Sequence, residues 1–132
     1  MNEQQVDKTI AKVRELIKEC QGVRSIDELL DLSLRISGYM VYLSEQETES
    51  FREWNQTVFK RKVLEAKFVK KSSESATKAA ELAKVEHESF RENESIHESD
   101  YKKLQTFRVS VKEFLESLRQ KISYLKQEQK TS

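Results

Sequence analysis

Proline is absent from this 132-residue chain, and glycine occurs only as Gly22 and Gly38. An average chain carries roughly 5% of the one and 7% of the other. Without them the tight reversals of a β-sheet have nothing to form on, which excludes hairpin-rich β folds and leaves long helices. The single cysteine, Cys20, can neither close an internal disulfide nor build a metal cluster, and its place on an apolar stripe suits a small buried hydrophobe in a reducing compartment. No stretch approaches the ~20 apolar residues of a membrane span. The stretch MNEQQVDKTI has no apolar run of the signal-peptide kind, so a cytoplasmic location is expected. The net charge of +1 favours neither a nucleic-acid nor a membrane partner. There is no glycine-rich loop to hold a phosphate or a dinucleotide, and the serines have no His-Asp context, so no enzyme and no cofactor are expected.

What is present is charge and helical periodicity. Charged residues make up 36% of the chain and apolar residues another 36%, the balance of helices that bury one stripe and solvate the rest. Val6, Ile10, Val13, Ile17 and Cys20 define one face of a short helix over residues 1–21, with Gly22 as a left-handed cap. Ser25-Ile26-Asp27-Glu28 is a capping box that opens a second helix. Its stripe runs through Leu29, Leu30, Ile36, Met40, Leu43, Phe51, Trp54, Val58, Leu64 and Phe68, predicting a helix over 26–71 in which Gly38 alone permits a bend. The polar cluster Lys71-Ser72-Ser73-Glu74-Ser75 is the expected turn, its serines able to cap the next helix.

A third helix is predicted over 76–127 with a frayed tail at 128–132. Ala76, Ala80, Ala83, His87, Phe90, Glu94, His97, Tyr101, Leu104, Arg108, Val111, Leu115, Leu118, Ile122 and Leu125 alternate steps of 4 and 3, a heptad frame that is strongly apolar only from Tyr101 onward. The expected fold is all-α: a single helical domain built as an elongated, coiled-coil-like antiparallel hairpin plus the short first helix, and oligomeric. Heptads fix a stripe and leave open whether its partner lies in the same chain or another. Tyr101, Leu104, Val111, Leu115, Leu118, Ile122 and Leu125 are the candidate oligomerisation residues. Phe59, Val63, Phe107, Val109 and Phe114 fall off the main stripes and ask for a further partner, which also points to self-association.

Charge is arranged in alternating blocks: +1 over 1–24, −5 over 25–59, +5 over 60–84, −5 over 85–100 and +5 over 101–132. A hairpin turning near Ser73 concentrates the basic block at its tip. Lys60, Arg61, Lys62, Lys67, Lys70 and Lys71 interleave with Phe59 and Phe68, the residue types that neutralise a single-stranded backbone and stack its bases. The plainer alternatives are a solvated lysine face over core phenylalanines, or a block that neutralises an acidic neighbour. His87, Glu94 and His97 invite a metal, but no second Glu-x-x-His completes a carboxylate-bridged site, so they are expected to be polar layers that set register.

The segment from Ile36 to Phe68 resembles the UvsY family, recombination mediators of T-even bacteriophages. Tyr39, Tyr42-Leu43, Lys60-Arg61, Leu64, Ala66 and Lys67 carry the resemblance without a gap, and Glu65 departs from it, standing where a lysine is expected. Beyond this segment the similarity is one of arrangement: a polar linker, a charged stretch, then an apolar helix from about Tyr101. The resemblance implies a ring-forming homo-oligomer that binds single-stranded DNA through the basic end of the second helix. It also implies a RecA-like recombinase and a single-strand-binding protein as partners, in a host cytoplasm if the chain is phage-encoded. The alternative is a coiled-coil adaptor or virion assembly protein that ignores DNA; a third is an inhibitor using residues 85–100 as a DNA mimic.

Overall fold

A computed structural model of the chain describes residues 1–71 and 75–131. Within them it holds four helices and no strand: α1 (Glu3–Cys20), α2 (Ile26–Lys71), α3 (Ala76–Glu86) and α4 (Glu88–Thr131). Long α2 packs against α4, so the fold is the expected all-α helical hairpin.

The ends of the first two helices follow from local chemistry. The Asn2 side chain accepts from the Gln5 N–H at 3.1 Å, which satisfies one of the orphan donors of α1. Gly22, at φ +81°, carries the chain out of that helix in a conformation only glycine adopts without strain. The Ser25 hydroxyl accepts from the Glu28 N–H at 3.4 Å and opens α2, which runs 46 residues, about 69 Å at ~1.5 Å each. Gly38 lies inside this unbroken helix.

The third predicted helix is two. Ser75 caps α3 by accepting from the Lys78 N–H at 3.4 Å, while the expected turn residues 72–74 lie outside the described residues. At His87 the backbone leaves helical geometry (φ −105°, ψ 26°). Its ring Nδ1 lies 2.9 Å from the Ala83 carbonyl, which also takes the His87 N–H at 3.0 Å. A side chain that bonds the preceding turn offers the backbone an alternative to the helical ladder. The ring is held between Phe68 and Phe90, with centroids 5.9 and 5.8 Å away. The His87 carbonyl then accepts from Phe90 and Arg91 and starts α4. Two smaller corrections accompany this one. α3 buries Ala79 and Ala83 and exposes Ala76 and Ala80. Helical geometry runs on to Thr131, across residues 128–131 where a frayed tail is expected.

The described residues divide into two compact units. One comprises Met1–Glu47 with Leu104–Ser132. In it α1, the first part of α2 and most of α4 share a core of Val6, Ile10, Val13, Leu16, Leu29, Ile36, Leu43, Leu104, Val111 and Leu118. Each such side chain taken from water contributes about 1.5–3 kcal/mol. Leu16 is buried where the expected stripe has Ile17, which packs at the edge of this core. Two polar side chains inside find partners: the Thr9 hydroxyl donates to the Gln5 carbonyl at 2.8 Å, and Arg108 Nε donates to buried Glu47 Oε2 at 2.7 Å. Phe107 is covered by the Arg14 guanidinium, 5.5 Å above its ring.

The other unit, Thr48–Lys103, holds the rest of α2, all of α3 and the start of α4. Rings and ion pairs join its helices. Phe51 and Trp54 on α2 meet Tyr101 on α4, at centroid distances of 5.0 and 5.8 Å. As the α2 partner advances from Phe51 through Arg61 to Phe68, its opposite number retreats from Tyr101 through Glu94 to His87, an antiparallel register.

Candidate nucleic-acid interface

Between Arg52 and Lys71 the sequence has two carboxylates, Glu53 and Glu65. Both are drawn toward α4. Glu53 Oε2 lies 3.6 Å from His97 Nδ1. Glu65 accepts from Arg61 Nη1 at 3.1 Å and from Arg91 Nη2 at 2.8 Å. Arg61 completes the cluster with Nε donating to Glu94 Oε2 and Nη2 donating to Glu94 Oε1, the latter at 3.4 Å. The hydrogen bond to Glu94 is the main cause that holds the Arg61 guanidinium even more firmly protonated than usual, against the opposing effect of its burial. Glu65, where the chain departs from the UvsY pattern, is thus the carboxylate shared by two arginines.

This arrangement divides the predicted basic residues. The Arg61 side chain is only 12% exposed and its fork is occupied by carboxylates, so it belongs to the packing of α2 on α4 rather than to the surface. Lys60, Lys62, Lys67, Lys70 and Lys71 are exposed, and Arg52, which the sequence pattern did not single out, is exposed with them. None of the six is in an ion pair among the described residues. At ~3.6 residues per turn, Lys60, Lys67 and Lys71 form one stripe. Beside it Phe59, Val63, Ala66 and Lys70 share a second. Phe68 turns inward onto His87, whereas Phe59 is 68% exposed. The signal for Arg52 was present in its spacing, two turns before Phe59.

The polar positions of the heptad frame each find a partner on α2. Glu94 meets Arg61, His97 meets Glu53, Arg108 meets Glu47 and His87 meets Phe68. They are layers between helices, and among the described residues no three His, Cys, Asp or Glu side chains gather as a metal site requires.

The candidate oligomerisation residues serve the chain's own packing. Leu104, Val111, Leu118 and Ile122 are buried in the first unit, Leu115 and Leu125 pack against that core, and Tyr101 stacks on Trp54 in the second. α1 and α2 supply the partner that the frame requires. The apolar side chains left outside in the first unit include Leu34 and Val41 on α2, 73% and 62% exposed.

Among the described residues no helix is long and apolar enough to cross a membrane. Comparison with known proteins finds no matching family model, no matching curated protein and no matching solved structure.

Proposed function

We propose that the protein is a non-catalytic, single-stranded DNA-binding recombination mediator, acting as a homo-oligomer that assists the loading of a RecA-like recombinase. The observation that carries DNA binding is the outer face of α2 from Arg52 to Lys71, with six exposed cations and both carboxylates of the segment engaged elsewhere. A face without carboxylates attracts a phosphate backbone and gains from counterion release. The role in recombination comes from the resemblance of Ile36–Phe68 to the UvsY family. Each subunit offers few phosphate contacts, so linking subunits makes later contacts intramolecular and adds roughly 10²–10⁴ in avidity. Leu34 and Val41, exposed on α2, are apolar surface that a second copy would cover.

Fluorescence anisotropy with labelled single-stranded and duplex oligonucleotides across a salt series tests this. Preference for the single strand is expected, with the logarithm of affinity falling against the logarithm of salt at a slope of about −4 per subunit for six contacts. Faster assembly of a RecA-like recombinase on protein-coated single strands is the accompanying outcome. Absence of binding at low salt would leave the coiled-coil adaptor as the better account.

A further inference from the structure

The groove beside Phe59 is the feature of the second unit that backbone neutralisation leaves unused. Thr48, Phe51, Arg52, Asn55, Gln56 and Phe59 line it along one face of α2. Phe51 is 43% exposed and held from behind by Trp54 and Tyr101, while Phe59 stands 68% exposed. No carboxylate lines this groove. Two open rings eight residues apart on a helix, with uncharged amides between them and Arg52, Lys60 and Lys62 around them, match a chemistry of flat apolar faces, hydrogen-bonding edges and negative linkers.

We infer that this groove takes an unpaired nucleobase: the base stacks on Phe59 against the Phe51 wall, Asn55 and Gln56 meet its polar edge, and Arg52 and Lys60 hold the phosphates on either side. The amides can donate and accept, so they suit any base edge without selecting one. Bases in a duplex have their faces occupied by neighbours and cannot enter, which makes the groove a source of single-strand preference that the lysine stripe, reading phosphates alone, does not supply. This inference rests on the DNA-binding reading and adds bases to phosphates.

The test uses the full chain and two probes, an oligothymidylate and an abasic oligomer with the same number of phosphates, bound to wild type, Phe59→Ala and Phe59→Trp across a salt series. Stacking on one aromatic predicts that wild type favours the base-bearing probe by about 5- to 140-fold. Phe59→Ala should lose that preference while keeping its affinity for the abasic probe and its salt slope, and Phe59→Trp should keep the preference. Equal affinity of wild type for both probes, or a preference that survives in Phe59→Ala, overturns the nucleobase site and leaves the lysine face standing on its salt slope. An altered sedimentation coefficient of free Phe59→Ala with base preference intact also overturns it, by assigning the groove to a second copy. Failure of wild type to bind either probe removes both proposals.

Discussion

Replacing Lys60, Lys67 and Lys71 together by alanine separates surface charge from the charge used inside the fold. The three lie on one exposed stripe of α2, spanning roughly 16 Å at ~1.5 Å per residue. Each phosphate neutralised on a single strand adds about 0.7 to the salt slope, so removing three of six contacts should lower it from about 4 to about 2. Between 50 and 200 mM salt, a fourfold change, wild type should therefore lose about 300-fold in affinity and the triple variant about 20-fold. Stability should hold, because exposed lysine-to-alanine changes usually stay within about 0.5 kcal/mol each and alanine is the better helix former. Arg61→Ala is the control with the opposite signature: its guanidinium is enclosed by Glu65 and Glu94, so the salt slope should stay near 4 and the stability should fall. Anisotropy titrations at four or more salt concentrations, paired with urea unfolding by circular dichroism, read both quantities. An unchanged slope in the triple variant, or a slope lowered by Arg61→Ala as much as by a surface lysine, would refute the division of this basic block.

Breaking the enclosed ion pair from either side, as Arg61→Ala or Glu94→Ala, should cost about 2–4 kcal/mol, and the double variant should cost little more than either single one because the two lose the same interaction; strictly additive urea midpoints would show that the pair contributes nothing of its own. Leu118→Ala should cost about 2–5 kcal/mol, since that side chain is 4% exposed in the core of the first unit. Leu118→Asp should lose its helical signal, and a well-folded monomer of that variant would return Leu118 to a role between chains. Burial is the main cause that raises the Cys20 thiol above its usual range, with nearby Lys121 acting against it. The folded state therefore favours the neutral thiol, and this contribution is full below the ordinary thiol pKa and lost as pH rises through the raised value. Urea midpoints taken from neutral into alkaline pH should fall more steeply for wild type than for Cys20→Ala, and parallel curves would refute the assignment.

Much of the helical framework was written in local signals. Gly22 and the Ser25 capping box bound the α1–α2 junction because a positive φ and a hydroxyl acceptor are requirements of single residues. The break at His87 was not legible. Neither glycine nor proline marks it, and it depends on a ring bonded to Ala83 and held by Phe68, a residue of another helix. In the alanine-rich start of the third segment several neighbouring positions are equally small, so periodicity could not choose Ala79 over Ala80. The same ambiguity let Ile17 stand for Leu16. The apolar seam from Leu104 to Leu125 was legible as a seam, but its partner was not, because a heptad pattern is satisfied equally by another copy or by α1 and α2 of the same chain. In Lys60-Arg61-Lys62 three adjacent cations look alike in sequence. Successive residues point about 100° apart on a helix, and only the position of α4 decides that the middle one turns inward.

The weak points of the heptad frame and the basic surface are consequences of one arrangement. Glu94 and His97 interrupt the apolar seam with Arg91 beside it, and each of the three engages a charged residue on α2. In binding Arg61, Glu94 fixes the rotation of α2. In binding Glu65 and Glu53, Arg91 and His97 take the only two carboxylates of the segment away from the face that carries Lys60, Lys67 and Lys71. An aliphatic seam could hold the helices together as firmly, since buried ion pairs are seldom better than well-packed apolar side chains in stability alone. It would take Arg91 from Glu65 and His97 from Glu53, and so remove the α4 groups that draw these two carboxylates away from the lysine face. The polar layers thus favour the register in which α2 presents cations outward and carboxylates inward, and the charge that a polyanion meets on this helix depends on residues of α4 that never reach the surface stripe.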